Sequence, residues 1–420
     1  MKIIRRFISC ILAGSAFACL SVSAEPRVQS AAAAADPTSS VVTLASAVEA
    51  AWRRAVQSSE ASGQLTRARA EQAAATAWWS APPSLEFSHG SGRWQGDGGG
   101  RETEIGVAVP VWLPGQRLAR GQAVQAEFDA AEVGATAARL RVAGQVRETA
   151  WSIAALNAEV ESTESRYQSL QSLAADVDRR VSAGALARTD SLAARAEVLA
   201  VESTQAEALA RLESANASWM ALTGFSLWVN PVEQVAQSDM DAGVDDHPEL
   251  RLTMRQVALA QRRLDLAGRS KRSPPEVMAW YRHESPGSPA STSNIVGIGV
   301  RLPLGTDDRN QPLLAAASTE LDAAQATATA LRERLVADLA ATRAILAAAE
   351  QQVGVERRRA ALLRERTQLV AAAFRAGETS LPETLRTYAA AAQAQASLAR
   401  QEAARGLAHA RLQQALGIMP

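Results

Sequence analysis

Ile105-Gly106-Val107-Ala108-Val109-Pro110-Val111-Trp112-Leu113-Pro114-Gly115-Gln116-Arg117 begins as an alternating strand, breaks at Pro110 and again at Pro114-Gly115, and opens into a long alanine-rich helical pattern. A second copy, Ile298-Gly299-Val300-Arg301-Leu302-Pro303-Leu304-Gly305, lies 193 residues later and again leads into a long helix. The same offset carries Gly184 to Gly377, Leu192 to Leu385 and Gly224 to Gly417. Self-similarity at one offset marks a duplicated chain. Each half joins a strand pair to a helical hairpin.

Outward from this stretch, four short runs read as strands, at 83–90, 102–110, 275–284 and 294–303. Leu85, Phe87 and His89 share one face of the first, and Thr103, Ile105, Val107 and Val109 one face of the second. Val277, Ala279 and Tyr281 alternate in the third, and Val296, Ile298, Val300 and Leu302 in the fourth. Gly297, Gly299 and Arg301 lie opposite. One apolar face against one polar or small face is the period of a membrane β-barrel, although a soluble hairpin packed on a helix has it too. Trp78, Trp79, Trp94, Trp112 and Trp280 fall near the predicted strand ends, where interface aromatics belong, and Trp78 and Trp112 also suit helix packing.

The helical parts are too long for a globular core. From Gln116 to Val181 the apolar seam Ile153, Leu156, Val160, Thr163, Tyr167, Leu170, Ala174, Val177 and Val181 steps by three and four. At ~1.5 Å per residue this helix is about 100 Å long, which suits a coiled-coil tube. Gly184 ends it and Thr189-Asp190 starts a return helix, closing a hairpin over 116–224. The copy covers 312–416, turning at Gly377 and restarting near Leu381-Pro382-Glu383. Before the strands, Thr43 caps a helix that runs to about Trp79, stopped by Pro82-Pro83. Asp245 or Asp246 is the expected cap of the helix at Pro248. The plan is a signal peptide (1–24), a leader (25–42), repeat one (43–224), a linker (225–246) and repeat two (247–417).

The signal peptide rests on Lys2, Arg5 and Arg6, the apolar run Phe7 to Leu20, and Val22-Ser23-Ala24 before Glu25. Both cysteines, Cys10 and Cys19, lie inside it, so the mature chain is expected to have no disulfide. Ala16-Phe17-Ala18 is a poor lipidation signal. Cleavage leaves 41 basic against 44 acidic residues, which argues against a nucleic-acid partner. No other apolar run reaches the length of a membrane helix, so a membrane-crossing mature chain must use its strands. Four strands cannot close a barrel, and open edges are not left in lipid. Three chains give twelve strands in a homotrimer. The expected fold is mainly α with a small β part: a trimeric 12-strand β-barrel on a coiled-coil α-barrel.

No catalytic constellation stands out. His89, His247, His283 and His409 are scattered without ligand spacing, and Gly90 to Gly96 lacks the Lys-Ser/Thr start of a phosphate loop. No enzyme activity, metal site or cofactor is expected.

The duplicated order, the start Pro82-Pro83-Ser84-Leu85-Glu86-Phe87, the turn at 105–117 and the tips at 180–192 and 374–385 resemble the TolC family of outer-membrane efflux factors. Val111 to Arg117 resembles its heavy-metal (CzcC-like) subgroup in particular. The family's Asn-Pro is missing near Gln57-Ser58-Ser59-Glu60, while His247-Pro248-Glu249-Leu250 keeps its equivalent. The resemblance implies a channel in the outer membrane that reaches through the periplasm to a closed tip. That tip faces a periplasmic adaptor (membrane fusion) protein and an inner-membrane RND-type pump. Gly184, Asp190, Leu192, Gly377 and Leu385 are then docking positions. Arg375, Glu378, Glu383 and Arg386 are gate positions, where Arg386 departs from the family's acidic residue and leaves the gate's charge sign open. Ordinary helix-end chemistry explains Asp190 and Glu383 equally well. The function expected is a passive exit duct for heavy-metal cations. Alternatives are a drug-efflux or type I protein-secretion duct of the same architecture, or a secreted coiled-coil protein with no channel.

Overall fold

The computed structural model describes residues 43–91, 100–231, 243–285 and 291–420, all within the unit Val42–Pro420. The signal peptide, the leader, Trp94 with most of its glycine-rich loop, and part of the linker lie outside the described residues.

Helices α1 (Leu44–Arg54) and α2 (Val56–Ala75) precede strands β1 (Ser84–Ser91) and β2 (Arg101–Pro110). The first long hairpin is α3 (Gln116–Ser182) and α4 (Arg188–Thr223). Then come α5 (Pro248–Arg269), β3 (Glu276–Ser285), β4 (Ser293–Arg301) and the second hairpin, α6 (Asp307–Ala376) and α7 (Leu381–Ala415). Helix α6 starts five residues before the expected position and carries Pro312 inside it, near enough to the start to remove only one helical bond.

Two further expectations near helix starts are corrected. Thr43 does cap α1, exchanging bonds with Ser46, but the helix stops at Ala55, which has φ −70° and ψ 138°, and α2 ends at Ala75 rather than Trp79. Ala55 sits 193 residues before Pro248, the first residue of α5. The break is therefore the first-repeat copy of a proline-marked helix start, with the proline absent. At α5 the cap is His247, not Asp245 or Asp246: its Nδ1 accepts from the Glu249 N–H at 3.2 Å. That bond places the ring proton on Nε2, which donates to the Gln414 carbonyl at 3.3 Å. Asp245 instead pairs with Arg332 at 3.0 Å.

The strands form one antiparallel sheet in the order β1-β2-β3-β4. Its register stacks Leu85, Val107, Ala279 and Ile298 in one row and Phe87, Ile105, Tyr281 and Val296 in the next. This face is exposed; Val296 and Ile298 are each 78% accessible. The row beyond is polar: His89 bonds Thr103 at 2.9 Å, and His283 bonds Asn294 at 2.7 Å. Trp280 corrects the interface-aromatic expectation. It sits in mid-strand on the opposite face, between Gly106 and Gly297. Trp112 donates to the Ala77 carbonyl at 3.1 Å, which ties the chain after β2 to the chain after α2. In the same turn Arg117 reaches the Thr76 carbonyl at 2.6 Å and Gln116 reaches Ser270 at 3.1 Å. The deciding stretch thus clamps the sheet to the ends of α2 and α5.

Among the helices α3 is central, packing on α2, α4, α5 and α7, while α6 packs on α5 and α7. Helices α4 and α6 form the outer edges of this layer. Three apolar clusters run along it. One joins α1 to α3 around Trp219, one joins α6 and α7 around Leu412, and one fills the tip. Between them Arg147, only 1% accessible, donates to Gln413 at 3.1 Å and Gln414 at 3.0 Å. Burying a guanidinium is costly unless its N–H groups are met, so these bonds fix α3 against α7.

Candidate functional site

The candidate site is the pair of turns at the far end of the helical hairpins. Both turns end their first helix on a glycine in the left-handed region, Gly184 at φ 76° and Gly377 at φ 82°. A side chain there is strained, so the turn demands glycine. In each turn the next N–H bonds back to the carbonyl five residues earlier, Ala185 to Arg180 at 2.8 Å and Glu378 to Ala373 at 2.9 Å. The glycine N–H groups add bonds to Val181 at 3.0 Å and to Phe374 at 3.1 Å, so two orphan carbonyls of each helix end are satisfied.

The turns are not held alike. At the start of α4 the Asp190 carboxylate accepts the Ala187 N–H at 3.2 Å. At the equivalent place in α7, Glu383 faces sideways to Arg366 at 2.8 Å and Arg386 at 3.3 Å. Leu192 is 58% accessible, whereas Leu385 is half-buried against the tip cluster. Of the four expected gate residues, the structure brings Glu383 and Arg386 together. Arg375 bonds the Ala371 carbonyl of its own helix at 3.3 Å, and among the described residues no ion pair joins Glu378 to it.

The residue that joins the two turns is Arg180. Its guanidinium donates to the Phe374 carbonyl and to the Arg375 carbonyl, each at 3.0 Å, and lies 4.9 Å from the Phe374 ring centroid. Asp176 holds it from behind at 3.1 Å. A cation at the C-terminal carbonyls of α6 is favoured by the helix dipole as well. Below it, Leu170, Leu173, Ala174 and Val177 of α3 pack with Phe374 and Leu381. Sequence reasoning missed Arg180, Arg366 and Asp178. Asp178 accepts from Ser191 at 2.6 Å and pairs with Arg195 at 2.9 Å. The Ser191 hydroxyl first, then Arg195, hold its carboxyl below the usual aspartate value.

Among the described residues no group of three or more His, Cys, Asp or Glu is placed to hold a metal ion, and no helix is long and apolar enough to cross a membrane. The arrangement closes and ties a helical end.

Residues 49–225 match the family described as outer membrane efflux protein. The chain is 29% identical over 265 residues to the "Cobalt-zinc-cadmium resistance protein CzcC" of Cupriavidus metallidurans. The chain spans 60% of the length of that curated relative. Its fold is that of solved outer-membrane channels. The outer membrane protein VceC of Vibrio cholerae superposes with TM-score 0.74 at 16% identity, over 89% of this chain and 96% of that one. CusC superposes with TM-score 0.73 at 17% identity, over 90% and 92%. The open-state MtrE channel of Neisseria gonorrhoeae superposes with TM-score 0.71 at 14% identity, over 89% of each chain.

Proposed function

We propose that three copies of this outer-membrane chain close a twelve-stranded barrel on a helical tube and form a passive exit duct for heavy-metal cations. The carrying observation is the sheet. Its strands β1 and β4 are unpaired edges, and one face is apolar and exposed up to its polar end row. An isolated sheet of this kind is stable neither in water nor in lipid; closure by further copies removes both problems. From Leu304 to Val296 the exposed apolar side chains span roughly 25 Å of chain, the height of a barrel's lipid-facing band. The helices carry the matching seam. Leu192 and Leu199 of α4, and Val355, Leu362 and Leu369 of α6, are exposed at seven-residue spacing on the two outer edges. That spacing suits coiled-coil contact between neighbouring copies.

In this reading the tip faces a periplasmic adaptor and an inner-membrane pump, which supply the energy. Leu192, Gly184 and Gly377 are docking positions, and Arg180 with Glu383, Arg366 and Arg386 holds the tip shut. The metal cargo is supported by the metal-resistance name of the curated relative. The test is tolerance of a deletion strain to zinc, cobalt, cadmium, nickel, copper and silver beside a dye panel. Selective metal sensitivity that the gene restores is expected. Sensitivity to dyes alone keeps the duct and discards the metal cargo.

A further inference from the structure

Helices α3 and α7 are tied in one stretch and untied in the next. From Arg147 to Trp151 of α3 the contacts are continuous. Arg147 donates to Gln413 and Gln414, and Glu148 pairs with Arg411 at 2.7 Å. The stretch ends where the Trp151 ring lies on Gly406, so close that a Cβ built on this glycine would lie 2.0 Å from the ring. Gly406 has no positive φ; the approach of the indole is what demands a glycine here. From Trp151 toward the tip, among the described residues, no hydrogen bond or ion pair joins α3 to α7.

In that untied stretch a trough of about 830 Å³ opens between α3, α6 and α7. Ala154 and Ala158 of α3 line it opposite Ala391, Ala392 and Ala399 of α7, with Trp151 toward one end and Tyr388 toward the other. Two of its lining atoms, Trp151 Nε1 and Arg166 Nε, are buried N–H donors that meet no acceptor among the described residues. Buried donors of this kind are costly and uncommon. Of the three buried side-chain atoms left unpaired among the described residues, two line this one trough. Charge points the same way. Arg405 also lines the trough, is half-buried and, among the described residues, makes no hydrogen bond or ion pair. Of the two acids on the trough, Glu402 is held by Arg357 at 2.7 Å and Glu161 is exposed.

We propose that the trough is a binding site for a small amphipathic anion, an aryl carboxylate or sulfonate in chemical class. Its anionic head accepts from Trp151 Nε1 and Arg166 Nε and pairs with Arg405. Its apolar body lies along the alanines between α3 and α7. The volume is that of a site for a drug-sized molecule, and the mix of apolar wall with a few converging polar groups is what such sites have. Gly406 is a positioning residue, because it sets where the indole N–H points. The occupant bridges the two hairpins where no bond of the chain itself does. The site depends neither on the cargo nor on the duct.

The test is a fluorescence titration of the protein, purified from membranes in a neutral sugar detergent, with the aryl sulfonate probe anilinonaphthalene sulfonate. Wild type is expected to bind it saturably, at one probe per chain, and more weakly in about 1 M than in about 0.1 M salt. Phenylnaphthylamine, which has similar rings and no charge, is expected to bind far less. Trp151→Phe keeps an aromatic ring and removes the donor; Arg405→Gln removes the free charge. Each is expected to weaken the probe by about tenfold or more, the worth of one hydrogen bond to a charged group. Arg358→Gln, exposed elsewhere on α6, leaves the affinity unchanged. Binding that neither Trp151→Phe nor Arg405→Gln weakens, binding that phenylnaphthylamine equals, or the lack of saturable binding overturns the site. The duct reading stands in each case, because it rests on the sheet.

Discussion

At the first tip Asp190 turns back on its own helix and accepts the Ala187 N–H; at the second, 193 residues on, Glu383 reaches sideways to two arginines. Leu192 stays out in water while its copy Leu385 packs inward. The duplication preserved the turn, which only glycine can make, and released the side chains around it. The first tip became a free apolar surface with a guanidinium arm, and the second became the anvil that receives it. The backbone geometry of the pair is shared; the side-chain contacts are not.

Removing the ring that both tips share should have the largest effect. Phe374→Ala empties the tip cluster and is expected to cost about 3–5 kcal/mol locally, seen as new protease cleavage around Gly184 and Gly377. A tip that stays resistant breaks the claim that Phe374 unites the two turns. Arg180→Ala comes next. It leaves the last carbonyls of α6 without their charged donor, at about 1–2 kcal/mol for a guanidinium one-quarter exposed. Single-channel recordings should show a higher open fraction than wild type, whereas Arg188→Ala on the same tip should not.

The glycines sharpen the comparison by symmetry. Gly184→Ala and Gly377→Ala should each cost about 1–2 kcal/mol, because both need the left-handed region, and hydrogen exchange at the two turns should quicken to the same degree. Unequal effects would mean that the turns are not copies in energy. Acid separates them. The Asp178 carboxyl is depressed in the folded chain, so its stabilisation is present above the unfolded aspartate value near 4 and is lost as pH falls further, through the folded value. Below about pH 4 the first tip should loosen through Asp178 in wild type, and Asp178→Asn should remove that step. Smallest of all, Glu383→Ala deletes two largely exposed ion pairs worth about 0.2–1 kcal/mol each, and should raise the open fraction less than Arg180→Ala does.

The strands, the long helices and both glycine turns were legible because each has a local signature: period two, period near 3.5, or a breaker at a fixed offset. The break at Ala55 was not, since Arg54-Ala55-Val56 contains no breaker; only Pro248 at the same place in the second repeat points to it. Trp280 was misplaced because composition says that tryptophans favour interfaces, while register puts this one over Gly297 and Gly299. The glycines were the available signal, since a strand interior carries them only for a bulge or a close approach. Arg180 was invisible because its acceptors are backbone carbonyls 194 and 195 residues away, and carbonyls have no letter in a sequence. The expected caps Asp245 and Asp246 failed for a related reason. His247 stands next to Pro248 and is held in place by the Gln414 carbonyl, a partner far away in the chain.

The claim on which the rest depends is that one barrel is shared by three chains. Native mass spectrometry of the protein extracted from membranes in detergent tests it directly. The account predicts a trimer that needs detergent to stay in solution. A monomer that remains soluble without detergent would contradict it and would make the apolar face of the sheet something other than a lipid-facing wall.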